Sequence, residues 1–196
     1  KVLKPKKLKA YTGNSGIGHV SCSAPRAYSV KDAQPYHFKS EKLEFSVAMN
    51  GIIQNYETLV RKMGDRGRIF AGKTDIELIA TLIETFYDTS ETWLEILNQL
   101  LETVEGWFTL VVLTQEGNIY GLRDPTGHKP LCYGTLEFNE KCFSILSSES
   151  CALDALGAKL IDDVKPGQIV SITPDNDIQT YETNQEKKHQ ICAFEY

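Results

Sequence analysis

The glycines Gly13, Gly16 and Gly18 have the composition of a phosphate cradle. A cradle follows a strand, opens a helix and is completed by a Lys-Ser/Thr pair or a distant acid. Here GNSGIGHVSCSA, residues 13 to 24, reads as a glycine-rich turn leading into a short strand, so phosphate binding is disfavoured. The histidines His19, His37, His128 and His189 are scattered, and none forms an i, i+4 pair with an acid between. No serine nucleophile elbow is present. The cysteines Cys22, Cys132, Cys142, Cys151 and Cys192 form no CxxC pair, so they read as reduced thiols, neither a disulfide framework nor a zinc site. Lys1, Lys4, Lys6, Lys7 and Lys9 offer a basic arm, but without interleaved aromatics they read as a solvated edge or loop.

Composition narrows the classes further. The chain has 196 residues, 41% hydrophobic and 24% charged, which fits one soluble globular domain. A net charge of −5 argues against a nucleic-acid partner. No apolar run approaches the ~20 residues a membrane helix needs, and no signal peptide is visible. A cytoplasmic protein is expected.

The elements that must position any site follow from periodicity. Residues 44 to 49 alternate Phe45, Val47 and Met49 as a half-buried strand, which is expected to stop at the turn pair Asn50-Gly51. A short helix is expected from Asn55 to about Met63. Thr74-Asp75-Ile76-Glu77 has the capping-box form, with Ile76, Ile79, Ala80, Ile83 and Phe86 on one helical face behind it. A third helix, from about Ser90 to Val104, carries Trp93, Leu97, Leu100, Leu101 and Val104. Period two then takes over in Trp107 to Leu113 and Ile119 to Arg123, joined by a hairpin turn. Strands at Leu131 to Tyr133 and Cys142 to Leu146, a helix from Ser148 to Leu156, and strands near Ile169 to Ile172 and Ile178 to Tyr181 complete the pattern. Central helices flanked by antiparallel strands make this α+β.

Longer strings occur in a fixed order. They are Gly16-Ile17-Gly18-His19-Val20, Ala33-Gln34-Pro35-Tyr36, Asn50-Gly51, Thr74-Asp75-Ile76-Glu77, and Arg123-Asp124-Pro125-Thr126-Gly127-His128-Lys129-Pro130-Leu131. Ser147-Ser148-Glu149-Ser150, Val164-Lys165-Pro166-Gly167 and Phe194-Glu195-Tyr196 follow. The ordered set resembles the class II, N-terminal-nucleophile glutamine amidotransferases over nearly the whole chain, and within them the amidophosphoribosyltransferase kind. Asparagine synthetase, with a similar Arg-Asp-x-x-Gly-x-x-Pro-Leu string, is the nearest relative to exclude.

The resemblance implies a four-layer αββα sandwich lacking its first strand, and one type 2 domain over residues 1–196, truncated at the N-terminus and at the C-terminus. It implies an N-terminal cysteine that attacks the glutamine side-chain amide with its own α-amino group as base. The tetrahedral intermediate's oxyanion then needs preorganised donors, and the resemblance assigns these to the Asn50 side chain and the Gly51 N–H. Taken alone, Asn50-Gly51 is a hairpin turn. Asp75 matches the aspartate that receives the glutamine α-ammonium, although a carboxylate there also suits the helix dipole. Arg123 and Asp124 are expected to hold the hairpin and its following loop. No cofactor is implied for amide hydrolysis; a transferase half would bring magnesium with its pyrophosphate substrate. The expected partners are glutamine, a phosphoribosyltransferase domain or subunit, and other copies in a homo-oligomer.

Three features depart from the family pattern. No cysteine opens the chain, Ser21 stands where an arginine pairs with the α-carboxylate, and Met49 replaces a histidine before Asn50. Arg26, five residues beyond Ser21, is a candidate to bind that carboxylate instead. Cys22 lacks an α-amino base and reads as a structural thiol. Two functions are therefore carried forward: a glutaminase domain whose nucleophile is absent from this chain, and a degenerate glutaminase-like binding or regulatory module.

Overall fold

Strands and helices form where the apolar periods place them. The computed structural model describes residues 13–20, 33–70 and 74–183. Its strands are β1 (Tyr36–Lys39), β2 (Glu44–Ile53), β3 (Gly106–Thr114), β4 (Ile119–Arg123), β5 (Cys132–Phe138), β6 (Lys141–Ser147), β7 (Lys159–Asp163), β8 (Ile169–Ile172) and β9 (Ile178–Tyr181). Its helices are α1 (Tyr56–Gly64), α2 (Asp75–Tyr87), α3 (Trp93–Thr103) and α4 (Ser150–Leu156).

The strands form two antiparallel sheets, ordered β1-β2-β3-β4-β8-β9 and β6-β5-β7. Strand alternation splits the larger sheet into two faces. Phe45, Val47, Met49, Phe108, Leu110, Val112, Leu122 and Ile169 join α1, α2 and α3 in the main core. The opposite face carries Val111, Gly121 and Val170 toward the smaller sheet, where Leu131, Tyr133, Val164 and Leu146 meet them. A Cβ on Gly121 would lie 2.8 Å from Leu146, so the two sheets are in direct contact. On the far side of the smaller sheet, Leu153 of α4 packs against Gly134 of β5. Helices, sheet, sheet and helix thus stack in the αββα order.

Helix α2 is buried more widely than one stripe, because Leu78 and Leu82 are buried along with Ile76, Ile79, Ala80 and Ile83. It lies on the sheet between α1 and α3, so two of its flanks meet helices. Thr74 caps it, with Oγ1 accepting the Glu77 N–H at 3.4 Å as the capping-box sequence predicts.

Three expectations need correction. The Asn50-Gly51 pair does not end the strand: β2 runs through it to Ile53, with Asn50 opposite Thr109 and Gly51 opposite Phe108. Residues 13–20 form no strand; they run as irregular chain, and the rest of that predicted strand lies outside the described residues. Strands β1 and β7 were not anticipated, since YHFK is too short to show a period and KLIDD is exposed throughout.

Candidate functional site

The site is built at the end of β2. Strand β1 pairs with β2 only from Glu44 to Val47, so from Met49 onward that edge has no strand neighbour among the described residues. In an antiparallel ladder, alternate residues turn their N–H groups to the same edge. Two side chains occupy this edge in place of a strand. Gln34 Oε1 accepts the Met49 N–H at 2.6 Å, and Asp75 Oδ2 accepts the Ile53 N–H at 3.1 Å. Gly51 lies midway between these two residues, and alternation turns its N–H to the same open edge.

Gly51 must be glycine. Its φ is +137°, and a Cβ would lie 1.9 Å from the Trp107 carbonyl oxygen. The same close approach recurs at Gly106, whose Cβ would lie 2.2 Å from the Ile52 carbonyl oxygen. The two glycines let β2 and β3 cross closely beside Asn50.

The side chain of Asn50 belongs to the other face. There a cleft of about 370 Å³ opens between the two sheets, at the small end of the ~300–1,000 Å³ typical of ligand pockets. Ala48, Asn50, Thr109, Val111, Leu131 and Leu146 form its walls, and Gly16 to His19 line its mouth. Ser15 anchors that segment by donating to the Gly117 carbonyl at 2.9 Å. The Asn50 carboxamide makes no hydrogen bond among the described residues, and the buried Thr109 stands opposite it on the same face. Unpaired polar groups of this kind are kept where a ligand or water completes them. The apolar run Trp107 to Leu113 carried one signal for this, the lone polar Thr109 inside it.

Arg123 and Asp124 do structural work, as the sequence implied. The buried Arg123 guanidinium donates to the carbonyls of Lys129 at 2.6 Å, Val164 at 2.9 Å and Gly127 at 2.6 Å. The fully buried Asp124 carboxylate accepts from the N–H groups of Phe108, Thr126, Gly127 and His128, and from the Thr126 hydroxyl. Together they bind the loop after β4 to β3, where His128 stacks on Trp107 at 4.8 Å.

Met49 stands between the cleft and the main core. It alternates with Asn50 and its side chain packs in the helix-side core, while the residue also borders the cleft. The described cysteines are free and lie away from the cleft walls. Cys132 donates its thiol to the Ser147 carbonyl at 3.4 Å, and burial pushes its pKa up to about 11. The exposed Cys151 thiol is raised by its hydrogen bond to Glu149. Neither is poised as a nucleophile. Arg26, Ser21, Cys22 and the lysine arm lie outside the described residues.

Asp75 sits beside the cleft at the open edge and not on its walls. Burial raises its carboxyl pKa, partly offset by the Ile53 N–H. The folded state therefore holds the Asp75 proton more tightly than the unfolded chain does. Stability from this group falls as pH rises from the ordinary aspartate range through the raised folded value. Asp75→Asn is expected to flatten that part of the stability–pH curve, read by urea unfolding at a series of acidic pH values. An unchanged slope in the variant would show that Asp75 is not the group responsible.

Among the described residues no cluster of His, Cys, Asp or Glu could hold a metal ion, and no helix is long and apolar enough to cross a membrane. A family model described as glutamine amidotransferase domain matches residues 21–155. The amidophosphoribosyltransferase of Archaeoglobus fulgidus is 33% identical over 195 residues, covering 100% of this chain and 41% of that protein. The one from Methanocaldococcus jannaschii is 34% identical over 171 residues, covering 87% of this chain and 35% of that protein. Among solved structures, the glutamine phosphoribosylpyrophosphate amidotransferase from B. subtilis, complexed with ADP and GMP, superimposes with a TM-score of 0.77 at 25% identity. That match covers 88% of this chain and 36% of the other. The chain spans about two fifths of the length of these curated relatives.

Proposed function

Because this chain belongs to the glutamine amidotransferase domain family, we propose that it is the glutaminase domain of an amidophosphoribosyltransferase-like enzyme of purine synthesis. In this reading it hydrolyses glutamine to glutamate and ammonia, and residues 1–196 form one type 2 domain of a longer protein. The ammonia passes to a phosphoribosyltransferase domain or subunit, and no cofactor takes part in the amide hydrolysis.

The observation that carries the reading is the end of β2. Asn50 offers an unpaired carboxamide to the inter-sheet cleft, and Gly51 turns its N–H to the adjoining open edge. Both are donors, and a thioester-forming attack on an amide develops negative charge on the carbonyl oxygen. Asp75, beside them, is the carboxylate for the substrate's α-ammonium. One of its oxygens, Oδ2, holds the Ile53 N–H at 3.1 Å, which leaves the other for the ammonium. Arg26 is the candidate partner for the α-carboxylate. The nucleophile is the N-terminal cysteine that the family pattern implies, since the described thiols are either buried and raised or remote from the cleft.

The test uses a glutamine analogue with an electrophilic diazoketone in place of the amide, added to the full natural protein. Intact-mass and peptide analysis should find one adduct, on an N-terminal cysteine, blocked by excess glutamine. Labelling confined to Cys132, Cys142 or Cys151, or no labelling, would contradict the reading and favour a binding module.

A further inference from the structure

Gln34 stands where a strand residue should. Tyr36 pairs with Val47, and continuing that register by two residues in each direction sets Gln34 opposite Met49. The described main-chain pairing with β2 stops at Tyr36. The side chain takes over the missing main-chain contact: Gln34 Oε1, an amide oxygen like a peptide carbonyl, accepts the Met49 N–H at 2.6 Å. Four residues further along β2, Asp75 Oδ2 does the same for Ile53 at 3.1 Å. The N–H groups on either side of Gly51 are thereby tied down by side chains, and the Gly51 N–H lies between them on the same edge.

We propose that Gln34 is a positioning residue, one jaw of a side-chain clamp that fixes the orientation of the Asn50–Gly51 peptide and leaves the Gly51 N–H available. The proposal rests on the glutaminase reading for what the clamp serves, but the clamp itself is a structural statement. Asp75 is the other jaw. One of its oxygens holds Ile53, so only the other is open to a ligand. A strand edge held by a neighbouring strand would consume the Gly51 N–H, whereas an edge held only by water would let the peptide turn. Two separate side-chain acceptors, spaced to skip Gly51, avoid both.

The experiment compares Gln34→Met, which keeps the length and loses the amide oxygen, with Gln34→Glu, which keeps an acceptor. Both are made in the full natural protein. Misplacing donors that act in the transition state lowers turnover, by about tenfold or more here, while leaving substrate affinity nearly unchanged. Gln34→Met should therefore lower kcat for glutamine with KM little altered, and Gln34→Glu should restore most of it. Equal kcat in Gln34→Met and wild type, or equal loss in both variants, overturns the proposal. Amide exchange at Met49 provides a readout independent of catalysis. It should quicken in Gln34→Met and stay protected in Gln34→Glu, and unchanged exchange in Gln34→Met also overturns the clamp. A wild-type protein that releases no glutamate refutes the glutaminase reading alone, with the clamp then judged by the exchange data.

Discussion

Gly51→Ala is expected to cost on the order of 4 kcal/mol of folding stability, through overpacking and a strained positive φ acting together. The added methyl would meet main chain and not a yielding side-chain tip. The Trp107 carbonyl oxygen lies 1.9 Å from the ideal Cβ, and the Phe108 Cα lies 2.7 Å away. Relief requires β2 and β3 to part where their contact is closest. For a domain of this size the change lowers Tm by roughly 10 °C. Gly64→Ala is the control, because a Cβ at Gly64 meets nothing within 4 Å. Thermal unfolding of both variants decides the matter. A Gly51→Ala protein as stable as the control would mean that the two strands do not approach as described.

Asn50→Ala should act on chemistry and spare the fold. Its side chain is half-buried on the cleft wall and makes no hydrogen bond among the described residues, so removing it strands no partner. Loss of one oxyanion donor typically costs about 10²–10³ in kcat, or roughly 3–4 kcal/mol of barrier lowering. The expected result is a fall of that size in glutamate production, with KM for glutamine and Tm close to wild type. A large rise in KM at unchanged kcat would make Asn50 a ground-state contact instead.

Much of this architecture could be read from the chain because local and tertiary preferences agree. The capping box at Thr74 and the apolar stripes of α2 and α3 needed no long-range information, and β8 and β9 fall on the residues expected for them. Arg123 and Asp124 were also legible as loop-holding residues, since a buried ion set beside a turn has backbone groups to satisfy. The Asn50-Gly51 pair misled for a physical reason. Residues that tolerate positive φ are the same in a hairpin turn and in a strand where backbones nearly touch, and only the partner strand distinguishes them. Gln34 was visible only as part of an ordered string. Its role depends on where β1 stops, and a four-residue strand leaves no periodic trace. The exposed β7 was missed because neither face of it is buried among these residues, so alternation has nothing to record.

Glutamine hydrolysis at the end of β2 can be measured without the acceptor half of the reaction. The most direct measurement is the simultaneous release of glutamate and ammonia when the full natural protein is given glutamine without an acceptor substrate. One glutamate should appear for each glutamine consumed, with the rate falling sharply in Asn50→Ala. Tight binding of glutamine with no glutamate released, from a protein whose natural N-terminus is intact, would contradict it and leave a binding module built on a glutaminase fold.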